Sequence, residues 1–111
     1  MNLRYQHGIT KAEAIKIIDS FLNELMKWEF PGGVKVKNAK KEWHGDIMEF
    51  SFTVRKGIAW TTIKGFIRVF DTTVCLTSEL TAVARTFVSE DKVKNAIDRQ
   101  VKKLFPNTVQ V

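Results

Sequence analysis

The sequence predicts an α+β domain in the order β-α-β-β-β-β-α, a single antiparallel sheet with two helices packed on one face. Three observations lead there. Between Ile47 and Phe87, three successive segments alternate apolar and polar residues: Met48, Phe50, Phe52 and Val54; then Ile63, Ile67 and Val69; then Val74, Leu76 and Leu80. A period of two marks a sheet with one face in a core and the other in water. The connections at Arg55–Gly57 and Asp71–Thr73 are too short for parallel crossovers, so neighbouring strands run antiparallel. Finally, an amphipathic helix pattern lies on each side of this region, supplying the cover that a one-sided sheet needs.

Taken in order, Leu3-Arg4-Tyr5-Gln6 reads as a first strand that stops at His7-Gly8. Thr10 opens a helix, with Glu13 at the capping-box spacing. At 100° per residue, Ala14, Ile15, Ile17, Ile18, Phe21, Leu22, Leu25, Met26 and Trp28 share one half of that helix, and its polar residues the other. Phe30-Pro31-Gly32-Gly33 ends it, because proline cannot continue a helix and glycine frees the turn. Val34–Lys37 is a second strand, followed by the polar Asn38–Glu42 and a turn at Trp43-His44-Gly45-Asp46. After the three central strands, Ser89-Glu90-Asp91 caps a second helix, whose apolar stripe is Val93, Ile97, Val101 and Leu104 with Phe105 beside it. Lys102 and Lys103 suit the negative end of its dipole, and Pro106-Asn107 stops it. Ile18, Leu25, Phe50, Phe52, Ile67, Leu76, Ile97 and Val101 are the expected shared core.

The 111 residues bound one domain, 1–111, with Thr108–Val111 reading as a disordered tail. No apolar run reaches the ~20 residues that span a bilayer, and the opening Met1–Tyr5 lacks a secretory pattern. The single cysteine, Cys75, excludes an internal disulfide, and a cytoplasmic location is the expectation. A formal net charge of +6 permits an acidic partner such as nucleic acid or an anionic surface.

Few residues suggest chemistry. His7, His44, Asp46 and Cys75 are the only ones of catalytic or soft-metal type that stand out. Two widely separated histidines and one cysteine do not make a zinc site, and no glycine-rich phosphate loop occurs. Neither an enzyme nor a cofactor or metal is expected. Trp43, Gly45 and Asp46 read as a structural turn motif. Two basic groups, Lys35, Lys37, Lys40 and Lys41 in one and Lys92, Arg99 and Lys103 in the other, are candidate polyanion contacts. A single-strand nucleic-acid surface would need aromatics exposed among them, and Trp43 is the nearest. In the fourth strand, Trp60, Lys64, Phe66 and Arg68 point away from the core if the alternation is unbroken. A bulge at Gly65 would instead bury Phe66, and the pattern leaves both open. Exposed, these four form a candidate contact surface for a partner or a weak homodimer strengthened by salt.

Several landmarks occur in an order that resembles a known family. These are His7-Gly8-Ile9-Thr10, Trp43-His44-Gly45-Asp46 with Phe50, Gly65-Phe66-Ile67-Arg68-Val69 with Asp71, and the closing helix through Ile97, Val101 and Leu104. The chain is similar to the bacterial polyhydroxyalkanoic acid system, or polyhydroxyalkanoate granule region, proteins. It departs from them over Glu79–Ser89, polar here and richer in leucine and glycine in the family. The resemblance implies no catalytic residues. It implies a non-enzymatic accessory protein that meets a polyester granule surface or a protein partner. Two other readings stand beside it: a small-ligand or lipid carrier, with a cavity of a few hundred Å³ between sheet and C-terminal helix, and a polyanion-binding module.

Overall fold

A computed structural model describes residues 1–25, 33–87, 89–105 and 109–110. Strand β1 (Asn2–Gln6) leads to helix α1 (Lys11–Leu25), then to β2 (Lys35–His44), β3 (Ile47–Lys56), β4 (Ala59–Val69) and β5 (Thr73–Glu79). Helices α2 (Ala82–Phe87) and α3 (Glu90–Leu104) follow, then a two-residue strand, β6 (Val109–Gln110). The strands form one antiparallel sheet in the order β2-β3-β4-β5-β1-β6. The expected α+β architecture is thus present. Met26, Trp28, Phe30-Pro31-Gly32 and Pro106-Asn107 lie outside the described residues, as do the side chains of Phe21, Leu22 and Leu25.

The alternation of the central strands sets which face is apolar. Met48, Phe50, Val54, Ile63, Ile67, Val69, Val74 and Leu76 are buried, while the intervening residues are exposed or half-buried. The helices cover that apolar face: Ala14 and Ile18 of α1 and Ile97 and Val101 of α3 join Leu3, Tyr5, Phe50, Ile67, Leu76 and Phe105 in one cluster. Phe52 packs half-buried against it. A second cluster joins Val34, Val54 and Ile63 to Leu80, Ala84 and Phe87. The last two belong to α2, a helix the sequence reading did not contain. Six residues are too few to show a helical period, and only the Thr81 hydroxyl, accepting from the Ala84 N–H at 3.1 Å, marks its start. The two expected helix starts appear as read: Thr10 Oγ1 accepts from Glu13 N at 3.2 Å, and Ser89 Oγ from Lys92 N at 3.3 Å.

Strand β2 is longer than its alternation suggests, and a bulge is the reason. Lys37 pairs with Thr53 and Lys40 with Ser51, so Asn38 and Ala39 together oppose Phe52. Asn38 takes φ = +56°, the left-handed conformation that asparagine tolerates better than most residues. The extra residue restores the phase beyond it. Ala39, Lys41 and Trp43 pair with core-side positions of β3 or lie beside them, while Lys37, Lys40 and Glu42 stay on the other face.

At Gly65 the pairing is regular on both sides, opposite Phe50 on β3 and Ser78 on β5. The alternative of a bulge there does not occur. Glycine is needed for a different reason: a Cβ would lie 2.5 Å from the Thr77 carbonyl oxygen and 2.7 Å from Phe50 Cζ. The Phe50 ring crosses the space that a side chain would fill. Gly65→Ala should therefore overpack the β3–β4–β5 junction and cost about 1–3 kcal/mol, measured as a lower urea midpoint. An unchanged midpoint would show that the junction relaxes freely.

Candidate functional site

Because α1, α2 and α3 all contribute to the cores on one face, the opposite face of the sheet is left without a covering element among the described residues. This outer face is the candidate site. Its composition follows from register. Reading across β4, β3 and β2, one row is Trp60, Arg55 and Lys35, and the next is Thr62, Thr53 and Lys37. Then come Lys64, Ser51 and Lys40, and after them Phe66, Glu49 and Glu42. A last row carries Arg68, Ile47 and His44, with Cys75 and Arg4 on its other side. Trp60 is 64% exposed and Phe66 44%, high values for large apolar rings. An open trough of about 820 Å³ lies between Lys40, Glu42, Glu49, Ser51, Lys64 and Phe66, and a second of about 430 Å³ lies between Phe66, Thr77 and Glu79.

The structure regroups the residues singled out from sequence. The four contact candidates, Trp60, Lys64, Phe66 and Arg68, do share the outer face. Arg68 is partly engaged, its guanidinium 4.8 Å from the centre of the Phe70 ring. The polyanion candidates divide three ways. Lys35, Lys37 and Lys40 join the outer face. Lys92, Arg99 and Lys103 are exposed on α3, in the helix layer on the far side of the core. Lys41 turns toward α1, where its ammonium is 3.0 Å from Asp19 Oδ1 and also reaches the Asp19 carbonyl. Arg55 was not a sequence candidate. Its position opposite Trp60 could have been read from hairpin register, but not from composition.

Trp43, Gly45 and Asp46 hold elements together. The Trp43 indole N–H donates to Asp19 Oδ1 at 2.8 Å, linking β2 to α1. Gly45 takes φ = +64° at the first position of the two-residue turn between His44 and Ile47. Asp46 lies 3.2 Å from the Lys11 ammonium and 3.9 Å from Arg68 Nε, and its carbonyl accepts from Val69 N. The Lys41 ammonium, and after it the Trp43 indole, hold the Asp19 carboxyl below the usual carboxylate range. The Lys11 ammonium does the same for Asp46, with Arg68 adding to it.

His7 is fully buried at the β1–α1 corner. Its Nε2 donates to the Phe70 carbonyl at 2.9 Å, and its Nδ1 accepts from the Ile9 N–H at 3.3 Å, which requires the proton on Nε2. Both ring nitrogens are thereby engaged by backbone. Cys75 sits on the outer face, its sulfur accepting from Arg4 Nε at 3.3 Å. Burial, and behind it the nearby Asp98 carboxylate, push the Tyr5 hydroxyl up to about 12, so it stays protonated at neutral pH. The Tyr5 hydroxyl and Asp98 Oδ1 are both buried, and neither has a hydrogen-bond partner of ordinary geometry among the described groups. The space that Tyr5 lines beneath α3, with Ile18, Ile67 and Ile97, measures about 20 Å³. That is room for a single water, against the few hundred Å³ a carried ligand needs.

Among the described residues, no group of three or more histidine, cysteine, aspartate or glutamate side chains is placed to hold a metal ion, and no helix is long and apolar enough to cross a membrane. Comparison with family models, curated proteins and solved structures finds no match.

The two carboxylates generate a pH prediction. A carboxyl whose pKa is depressed on folding contributes stability above its unfolded value, near ~3.9, and loses it as pH falls through the folded value. Asp19 is exposed and Asp46 half-buried, both within reach of solvent screening, so the contribution is modest. An Asp19→Asn/Asp46→Asn variant should be less stable than wild type at pH 6 in urea melts, with the gap closing below about pH 4. A gap that persists in acid would mean that the carboxylate charges are not what stabilises these links.

Proposed function

We propose that the chain is a non-enzymatic binding protein that works through the outer face of its sheet, holding a surface or a partner there. One observation carries this reading: the helices take one face, while the other presents Trp60 and Phe66 to solvent beside a field of lysine and arginine. Large rings are costly to leave in water, and exposed aromatics among polar neighbours are a common mark of an interaction site. The engagement of both His7 nitrogens by backbone supports a non-enzymatic role, since that imidazole has no nitrogen left to act on a substrate. The resemblance to granule-region proteins makes a polyester surface one natural probe.

A panel of isolated poly-3-hydroxybutyrate granules, anionic vesicles and oligonucleotides tests the face, not the identity of its occupant. A Trp60→Ser/Phe66→Ser variant should melt like wild type, because both rings are exposed, and should lose binding to whichever probe wild type retains. A Lys92→Ser/Arg99→Ser/Lys103→Ser variant, altered on the helix layer, should bind as wild type does. The reverse pattern would move the contact surface to α3 and sink the reading.

A further inference from the structure

We infer that the outer face takes single-stranded nucleic acid, with bases stacked along β4 and phosphates following the lysines of β2. The inference rests on the outer face being the contact surface, and it specifies the occupant. Its ground is the order of side chains on a rigid lattice. Trp60 and Phe66 stand at the two ends of a seven-residue stretch of β4, six steps and so about 20 Å apart at ~3.3 Å per residue. Two strands away, Lys35, Lys37 and Lys40 run alongside on β2, about 10 Å from β4 at a spacing of ~4.8 Å per strand. Between the two columns lie Ser51 and Thr53, whose hydroxyls can donate or accept.

A single strand has this same cross-section, with flat bases on one side and a phosphate run on the other. Aromatic platforms combined with a positive groove that tracks the backbone are how sequence-tolerant single-strand binders work. Arg55, opposite Trp60, and Lys64, on β4 itself, add charge between the columns. The Arg55 guanidinium also donates to the Gly57 carbonyl at 2.8 Å, which fixes its position. The open trough beside Lys40, Ser51 and Lys64 leaves room for a backbone at its lysine end, its other end being lined by Glu42, Glu49 and Phe66.

Other occupants fit less well. A bilayer or polyester surface calls for contiguous apolar area, whereas Thr62 and Lys64 separate Trp60 from Phe66 on the same strand. A duplex hides its bases and would leave the two rings without a role. The acidic groups set the limits of the track. Glu49 and Glu42 lie in the Phe66 row and repel phosphate there, so the path ends at that row; Glu79 lies opposite Lys64 on the β5 side, away from the lysine column.

The test is fluorescence anisotropy of a labelled oligothymidylate of about 15 nucleotides, within the site sizes such proteins cover, titrated with the full chain over a range of salt. Contacts to five phosphates, one for each of Lys35, Lys37, Lys40, Arg55 and Lys64, would give a slope of about −3.5 in log affinity against log salt, at roughly −0.7 per phosphate. Lys37→Ser/Lys40→Ser should bring that slope to about −2. Trp60→Ala should weaken binding by roughly ten- to a hundredfold with little change in slope. Glu42→Gln/Glu49→Gln should tighten it. All of these side chains except Ser51 and Thr53 are exposed, and matching thermal melts confirm that each variant folds.

Three results overturn the inference. Equal affinity for duplex and single strand, with no effect of Trp60→Ala, would show a charge-only surface. Absence of oligonucleotide binding with Trp60-dependent binding to vesicles or granules would reject nucleic acid but keep the outer face as the contact surface. Oligonucleotide binding abolished by the α3 variant and untouched by the β2 and β4 variants would reject both the occupant and the face.

Discussion

One added residue keeps both faces of the long edge strand in phase with the rest of the sheet. In a strand without the bulge at Asn38–Ala39, the strict alternation after Val36 would send Lys40, Glu42 and His44 toward the helices and Ala39, Lys41 and Trp43 into solvent. Charged groups would then face a core that offers them no partners, at a cost of several kcal/mol each unless they moved back into water. With Asn38 in the left-handed conformation, the strand instead turns Trp43 and Lys41 onto Asp19 of α1. It also leaves Lys37 and Lys40 neighbours on the outer face. The link from sheet to helix and the lysine column are therefore two consequences of a single backbone feature.

The same geometry explains how much was legible in the sequence. The central strands and the two longer helices were readable because their apolar residues recur at the period of the element that holds them, and Thr10 and Ser89 mark the starts of those helices. The second half of β2 was not, since a two-for-one pairing breaks the period on which the reading depends. Helix α2 spans less than two turns and so offers no period at all. At Gly65 the pattern alone could not separate a bulge from a regular strand. The decision depends on Phe50, fifteen positions earlier in the chain, whose ring occupies the place of the missing side chain.

The candidate site was visible in parts and not as a whole. Trp60, Lys64, Phe66 and Arg68 come from one strand, so alternation was enough to group them. Placing Lys35, Lys37 and Lys40 beside them requires two hairpin registers, fixed by Gly45 and Gly57 at φ = +64° and +62°. Charge along the chain misleads here. Lys40 and Lys41 are adjacent in sequence, yet they face opposite sides of the sheet, one toward solvent and the other onto Asp19. Lys92, Arg99 and Lys103 look equivalent to the β2 lysines by composition, and the core separates the two sets.

Strand β2 also lies at the border of the sheet, ten residues long, with a row of backbone donors and acceptors turned outward. A flat apolar border of that length would recruit the same strand from another copy and grow into fibres. Lysines at 35, 37, 40 and 41 place like charges against any incoming copy, and the bulge twists the border so that a straight strand cannot pair along its full length. At the other border the last strand is two residues long. Among the described residues, the sheet thus combines an uncovered face with two rims poorly suited to growth by strand addition.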